Sequence, residues 1–309
     1  MIVYFPPVTT SARRCAAIAA LGAVLVGCGA DPGTTSGADP RAAVLGASTS
    51  PTASKLDAVS PQPGNTRGPG GRQLPQAPTL APGPHGLTPL FRRAAAPAAR
   101  TVALTFDADM TADQGPRAAQ GERFDNPGLI AALRALKIPA TVFMTGRWAE
   151  EYPAQAKAIG TDPLFETANH SYSHHAFTAD CYGLPVVAAN DMRADVERAF
   201  TAFEKAGVRN AVPYFRFPGG CYDDHALRAI APTQVTAVQW DVVSGDAFAT
   251  DADAVVAEVL RGVRPGSVVV MHCTRSAAPV TEEAVRRIVP ELRRRGYRFV
   301  KVSDLMRRS

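Results

Sequence analysis

From residue 101 onward, short apolar runs alternate with amphipathic stretches. TVALTF (101–106), ATVFM (140–144), LFETA (164–168), PYFRF (213–217), QVTAVQW (234–240) and SVVVMH (267–272) read as buried strands, with YRFVKV (297–302) as a seventh. Between them, apolar residues recur at helical spacing over 126–138, over 186–207 up to Gly207, and in DDHALRAIA, DADAVVAEVLRGV and TEEAVRRIVPELRRRG. A short helix over 148–160 is interrupted at Pro153. Near-continuous apolar strands alternating with helices predict a parallel α/β fold. Seven strands suit either an open doubly wound sheet or a barrel one unit short of eight.

The polar residues discriminate between these two. Asp107 and Asp109 follow the first strand, and His170 and His174 the third. Arg216 ends the fourth strand, Asp241 and Asp246 follow the fifth, and His272 ends the sixth. All fall at C-terminal strand ends, where α/β barrels place their chemistry. An open sheet gathers its ligands at one switch point, so residues from this many strands would converge there less readily. A barrel is therefore expected.

The N-terminal third has a different texture. Residues 28–98 are rich in Pro, Gly, Ser, Thr and Ala, with few aromatics and no sustained apolar period. Such a stretch cannot bury enough surface to offset its ordering entropy, so a flexible tether is expected there and a folded domain over 99–309. Residues 1–27 read as an export signal: Arg13 and Arg14, then an apolar run from Cys15 to Val26 that is too short to span a bilayer. Leu25-Val26-Gly27-Cys28 resembles the lipobox of bacterial lipoproteins. That resemblance implies cleavage before Cys28, a lipid on its sulfur, and a membrane location facing the cell wall.

Charge adds little. The formal net charge is +5, and loss of Arg13 and Arg14 with the signal leaves about +3. No long Lys/Arg run occurs, which argues against nucleic acid as a partner. Cys181, Cys221 and Cys273 remain in the folded part. An exported location allows one disulfide and one free thiol among them, with all three pairings open.

The chain has six histidines, and three of them fall within TANHSYSHHAF (167–177). His170 and His174 are spaced i, i+4, which on a helical turn puts both rings on one face and sends His175 elsewhere. Two neutral imidazoles with one carboxylate make a three-ligand site with a position left for water, the pattern of catalytic zinc. Cobalt, nickel or manganese would suit the same donors. In TFDAD, two carboxylates two residues apart can diverge at a strand end, one to a metal and one to a water.

Five segments together resemble the polysaccharide deacetylase family (the NodB-homology domain, carbohydrate esterase family 4). They are Thr105-Phe106-Asp107-Ala108-Asp109, His170-Ser171-Tyr172-Ser173-His174, Arg216-Phe217-Pro218-Gly219-Gly220, Trp240 to Asp246, and Val270-Met271-His272. The resemblance implies a distorted (β/α)7 barrel, a divalent metal, usually zinc, and hydrolysis of acetyl groups on sugars. It implies Asp109, His170 and His174 as ligands and Asp107 as general base, although Asp107 and Asp109 could exchange roles because Ala108 separates them. It further implies Arg216 pairing with Asp107, the Gly219 N–H facing the oxyanion, and His272 as general acid.

The fourth segment departs from the family pattern. Val243 stands where the family's carboxylate supporting the acid usually falls, and Ala247 where an aromatic lines the acetyl pocket. Asp241 or Asp246 could supply the carboxylate, Phe248 the apolar wall, and Val270 replaces a common leucine. Cys221 and Cys273 flank the third and fifth segments, so a disulfide between them could shape the pocket. The expected activity is N-deacetylation of amino sugars in an envelope polysaccharide, peptidoglycan above all. The alternatives are an O-acetyl esterase on xylan-like or wall glycans and a non-catalytic glycan-binding lipoprotein.

Overall fold

A computed structural model describes residues 77–95 and 99–307. The expected signal over 1–27, Cys28 and the tether as far as residue 76 lie outside the described residues. Among the described residues, nine strands occur in chain order: β1 (Leu90–Phe91), β2 (Thr101–Ala108), β3 (Ala140–Met144), β4 (Phe165–Asn169), β5 (Ala211–Phe215), β6 (Thr236–Val238), β7 (Val242–Val243), β8 (Ser267–His272) and β9 (Arg298–Phe299). The helices are α1 (Gly115–Ala119), α2 (Pro127–Ala135), α3 (Gly146–Glu151), α4 (Pro153–Gly160), α5 (Met192–Lys205), α6 (Asp224–Ile230), α7 (Ala252–Gly262), α8 (Thr281–Arg294) and α9 (Val302–Met306).

The strands pair in the order β1-β6-β5-β4-β3-β2-β8-β7, with β9 also beside β2. Every pairing is parallel. The sheet is a curled half-barrel of the (β/α)7 kind, as expected. β2 is buried along its whole length, consistent with its unbroken apolar reading.

Strand alternation sorts side chains into two layers. Leu104, Phe106, Val142, Met144, Phe215, Val269 and Met271 join the larger cluster with the helices. Ala103, Phe143, Ala168, Val212, Tyr214, Val238 and Val268 form the smaller cluster on the other face. Counting on by twos along that second face leads to Asp107, His170, Arg216, Trp240 and His272. The strand phase that fills the barrel thus delivers these side chains to its C-terminal mouth.

Only residues 239–241 separate β6 from β7, yet β6 pairs with β5 and β7 with β8. The chain therefore steps from one side of the curl to the other. The seam left by this step is spanned by residues 90–94. Leu90 and Phe91 lie beside Ala237 and Val238, and the Gln239 N–H donates to the Phe91 carbonyl. On the other side, the Ala94 N–H donates to the Gly266 carbonyl at 3.0 Å, and Arg93 bridges Ser267.

Three expectations change. Residues 77–95 are not tether: Ala77, Phe91 and Ala94 are buried, Tyr214 Oη donates to the Pro78 carbonyl at 2.7 Å, and the Leu80 N–H donates to Thr236 Oγ1. Their attachment uses backbone hydrogen bonds and isolated apolar side chains, which leave no periodicity to read. The helix expected over 186–207 begins at Met192, because the stretch before it pairs with Ala176 through the Val187 N–H and the Pro185 carbonyl. The last strand shrinks to Arg298–Phe299, since the chain turns into α9 at Val302.

Candidate active site

The histidine loop begins where β4 ends. Asn169 Oδ1 accepts from the Ser171 N–H at 2.8 Å, and its amide donates to the Val196 carbonyl at 2.9 Å. Ser171 and His174 both adopt left-handed backbone, φ 69° and 57°, and Ser171 Oγ accepts from the His174 N–H. From α5, Asp195 Oδ2 accepts from the Tyr172 and Ser173 N–H groups at 2.9 and 3.4 Å. The helical turn expected for His170–His174 is therefore absent; a tight loop clamped from two sides replaces it. The two rings still meet edge to face with centroids 5.0 Å apart, while His175 is only half-buried and leads into the following loop.

Each ring faces an aspartate of TFDAD. His170 Nε2 lies 3.7 Å from Asp107 Oδ2, and His174 Nε2 lies 3.6 Å from Asp109 Oδ2. All four side chains are buried. Among the described residues no three His, Cys, Asp or Glu side chains already converge as a ligand cluster; the four stand as two facing pairs. The separations are too long for hydrogen bonds. The His174–Asp109 separation comes close to the ~3.4 Å between two ligands of one tetrahedral ion with bonds of about 2.0–2.1 Å.

The rings are prepared as donors of lone pairs. His170 Nδ1 lies 2.9 Å from the Arg216 carbonyl, a contact that fixes its tautomer and leaves Nε2 free. Burial lowers its pKa despite the attraction of Asp107. Burial holds His174 well below the ordinary imidazole value, and its Nδ1 is buried without a partner. Two neutral buried imidazoles beside buried carboxylates, one with an orphaned nitrogen, are a donor set that fits a divalent cation. Thr274 Oγ1 donates to Asp109 Oδ1, orienting that carboxylate.

Asp107 is held differently. Arg216 Nη1 lies 2.6 Å from Asp107 Oδ1, and Arg216 is wholly buried. The guanidinium carbon sits 3.9 Å from the Phe143 ring centroid and 5.3 Å from that of Trp240, while Nε donates to the Val238 carbonyl. One carboxylate oxygen is thus committed to Arg216 and the other turns toward His170.

Across the β2–β8 pairing, Asp107 is the register partner of His272. His272 Nδ1 lies 2.8 Å from Asp246 Oδ1. Asp246 Oδ2 accepts from the His272 N–H and from Thr281 Oγ1, both at 2.7 Å, and Ser244 Oγ donates to Oδ1. Burial alone would lower the pKa of His272, but the Asp246 carboxylate reverses this and raises it.

Several expected residues fall elsewhere. Asp241 does not reach His272: it is exposed and accepts from the Val268 N–H and Ser267 Oγ at the opposite end of β8. The bend at 239–241 places it just before β7 rather than at the end of β6. Phe248 is 46% exposed with φ 61°, so it is no buried wall. Val270 is buried in the inward phase below His272. The disulfide joins Cys181 to Cys221, not Cys221 to Cys273. Cys273 shares the phase of Val269 and Met271, so it points into the helix-side core, where burial pushes its thiol up to about 12. Gly219 has φ 64°, and a Cβ there would lie 2.5 Å from Cys181 Sγ. Glycine is thus required at Gly219 both by conformation and by space.

Thr274, Thr281, Ser244 and Asp195 carry no chemical signature of their own in the sequence; only the fold brings them against the loop and the acid pair. A cavity of about 480 Å³ lies behind the histidine loop, lined by Arg147, Tyr172, Ser173, His175, Asp195 and Arg198 among others, but by none of Asp107, Asp109, His170 or His174.

Residues 94–238 match the polysaccharide deacetylase family model. The matched stretch contains Asp107, Asp109, His170, His174, Arg216 and Gly219. It stops before Asp246 and His272, whose meeting is seen in the structure. The chain is similar to a chitooligosaccharide deacetylase of Sinorhizobium fredii, 28% identical over 61% of this chain and 86% of that protein. It is 27% identical to a peptidoglycan-N-acetylglucosamine deacetylase of Bacillus cereus, over 67% of this chain and 89% of that protein. Among solved structures, a CE4-family pseudoenzyme from Bacillus anthracis aligns with a TM-score of 0.56 at 25% identity, covering 74% of this chain and 70% of that one.

Proposed function

We propose that this chain is an exported, metal-dependent hydrolase that removes N-acetyl groups from amino sugars of a cell-envelope polysaccharide, with peptidoglycan as the favoured target. One observation carries the reading: Asp107, paired with Arg216 and facing His170, stands directly across from the His272–Asp246 pair. A base and an acid thus flank one candidate metal position at one mouth of the barrel.

Asp109, His170 and His174 would hold the ion, zinc being the best match to two imidazoles and one carboxylate. When bound, it supplies Lewis acidity and lowers the pKa of a water. Arg216 holds and aims the Asp107 carboxylate, so Asp107 can take the proton of the attacking water. The Gly219 N–H offers a hydrogen bond to the oxygen on which negative charge develops. His272, kept protonated by Asp246, gives its proton to the departing amine nitrogen. The two relatives that are N-acetyl-sugar deacetylases support this substrate class. The lipobox-like Leu25–Cys28 supports a lipid anchor on Cys28 and a location at the membrane facing the wall.

The likeness to a pseudoenzyme supports a second reading, a glycan-binding protein without catalysis. Acetate release from peptidoglycan and chitooligosaccharides, with and without chelator, separates the two. The wild type is expected to release acetate only with metal present, and Asp107→Asn to lose nearly all of it. Metal-loaded wild type that binds glycan but frees no acetate would establish the second reading.

A further inference from the structure

The loop after the histidines places a large aromatic side chain in solvent beside the proposed oxyanion position. Tyr182 is 57% exposed, the most exposed of the large apolar side chains among the described residues. It is held there at a cost. Its φ is 53°, a left-handed conformation that a bulky residue rarely adopts, and Gly183 follows it at φ 73°. The neighbouring Cys181 is covalently joined to Cys221, one residue beyond the Pro218–Gly220 turn. Below the tip, Ala176 pairs with Val186, and Ala176, Cys181 and Leu184 form a small core with Cys221 packed on it.

This places the Tyr182 ring against Gly219: a Cβ built on that glycine would lie 3.3 Å from Tyr182 Cδ2. The ring therefore lies at the rim of the turn that carries the proposed oxyanion donor Gly219, with much of its surface turned to water. A flat, rigid, half-exposed aromatic face next to a reaction centre is suited to the axial C–H face of a pyranose, an apolar patch on an otherwise polar sugar.

We propose that Tyr182, fixed by the Cys181–Cys221 crosslink, is a platform on which one sugar ring of the glycan substrate stacks, and that it sets affinity for an oligosaccharide. This rests on the deacetylase reading for the identity of the substrate, but the binding itself can be tested apart from catalysis.

The experiment measures chitopentaose in two ways on the full chain, loaded with zinc: the dissociation constant by calorimetry, and KM with kcat from acetate release. Tyr182→Ala is expected to weaken binding and raise KM by about tenfold, with Tyr182→Trp restoring both. The Cys181→Ala/Cys221→Ala double variant, which frees the loop but keeps the ring, is expected to weaken binding by a smaller factor. If the wild type binds the glycan but releases no acetate, while Tyr182→Ala binds more weakly, the deacetylase reading fails and the platform stands. If the wild type releases acetate and Tyr182→Ala keeps its dissociation constant and KM within twofold, the platform is overturned. Absence of any chitopentaose binding by the wild type overturns it as well.

Discussion

Arg216 Nη1 lies 2.6 Å from Asp107 Oδ1, and both residues are buried. Removing the cation leaves a carboxylate in a dry site without its partner, a loss of roughly 3–5 kcal/mol in comparable buried pairs. Arg216→Met is therefore expected to lower the melting temperature sharply and to abolish acetate release. Arg216→Lys should not rescue it, because a point-like ammonium cannot both reach Asp107 and stack on Phe143. Thermal denaturation and acetate assays on the two variants check this.

The His272–Asp246 pair sets a pH limit. His272 has a raised pKa in the folded protein, so it stays protonated above the usual imidazole range and loses its proton only as pH rises through that raised value. Both the supply of a proton to the leaving group and the stability drawn from the pair are complete below about pH 6.5 and fade through that window. Asp246→Asn is expected to move the alkaline limb of the kcat profile toward acid, because the carboxylate that raises the pKa of His272 is gone. A pH–rate profile of the variant against wild type decides this.

Asp195 touches none of the four facing side chains, yet its carboxylate holds the Tyr172 and Ser173 N–H groups between the two histidines. Asp195→Ala frees that loop. Zinc affinity is expected to fall by about 10–100-fold, as for other supports of metal ligands. Competition with a chromophoric chelator measures it without reference to turnover.

Glu166 is buried at the other end of the barrel, where Oε1 accepts from Thr141 Oγ1 at 2.8 Å and the Ser303 N–H at 3.0 Å. Burial raises its pKa in spite of these hydrogen bonds. The folded state therefore favours the protonated acid, and stability present below about pH 4.3 is lost as pH rises through the folded value. Glu166→Gln keeps the accepting oxygen and removes the charge. It is expected to raise the melting temperature at pH 7 and hardly at pH 4, read from melts at the two pH values.

Most of the barrel was legible because buried parallel strands announce themselves as apolar runs, and Asp107, His170, Arg216 and His272 share the strand phase that leads to the mouth. The fourth segment was only half legible. Asp241 and Asp246 are both acidic and near the same strand, and only the bend at 239–241 sends one to each end of β8. The histidine spacing does bring the two rings together, but by a different geometry from the one expected, since left-handed backbone at Ser171 and His174 does what a helical turn would have done. The strip at 90–94 left no periodic signal, because it is attached by backbone hydrogen bonds and by two isolated buried side chains, Phe91 and Ala94.

That strip has a mechanical consequence. Residues 90–94 are stitched to β6 on one side and to the entry of β8 on the other. A pull that reaches residues 90–94 is therefore shared between two lips of the sheet, one that ends beside Trp240 and one that leads along β8 to His272.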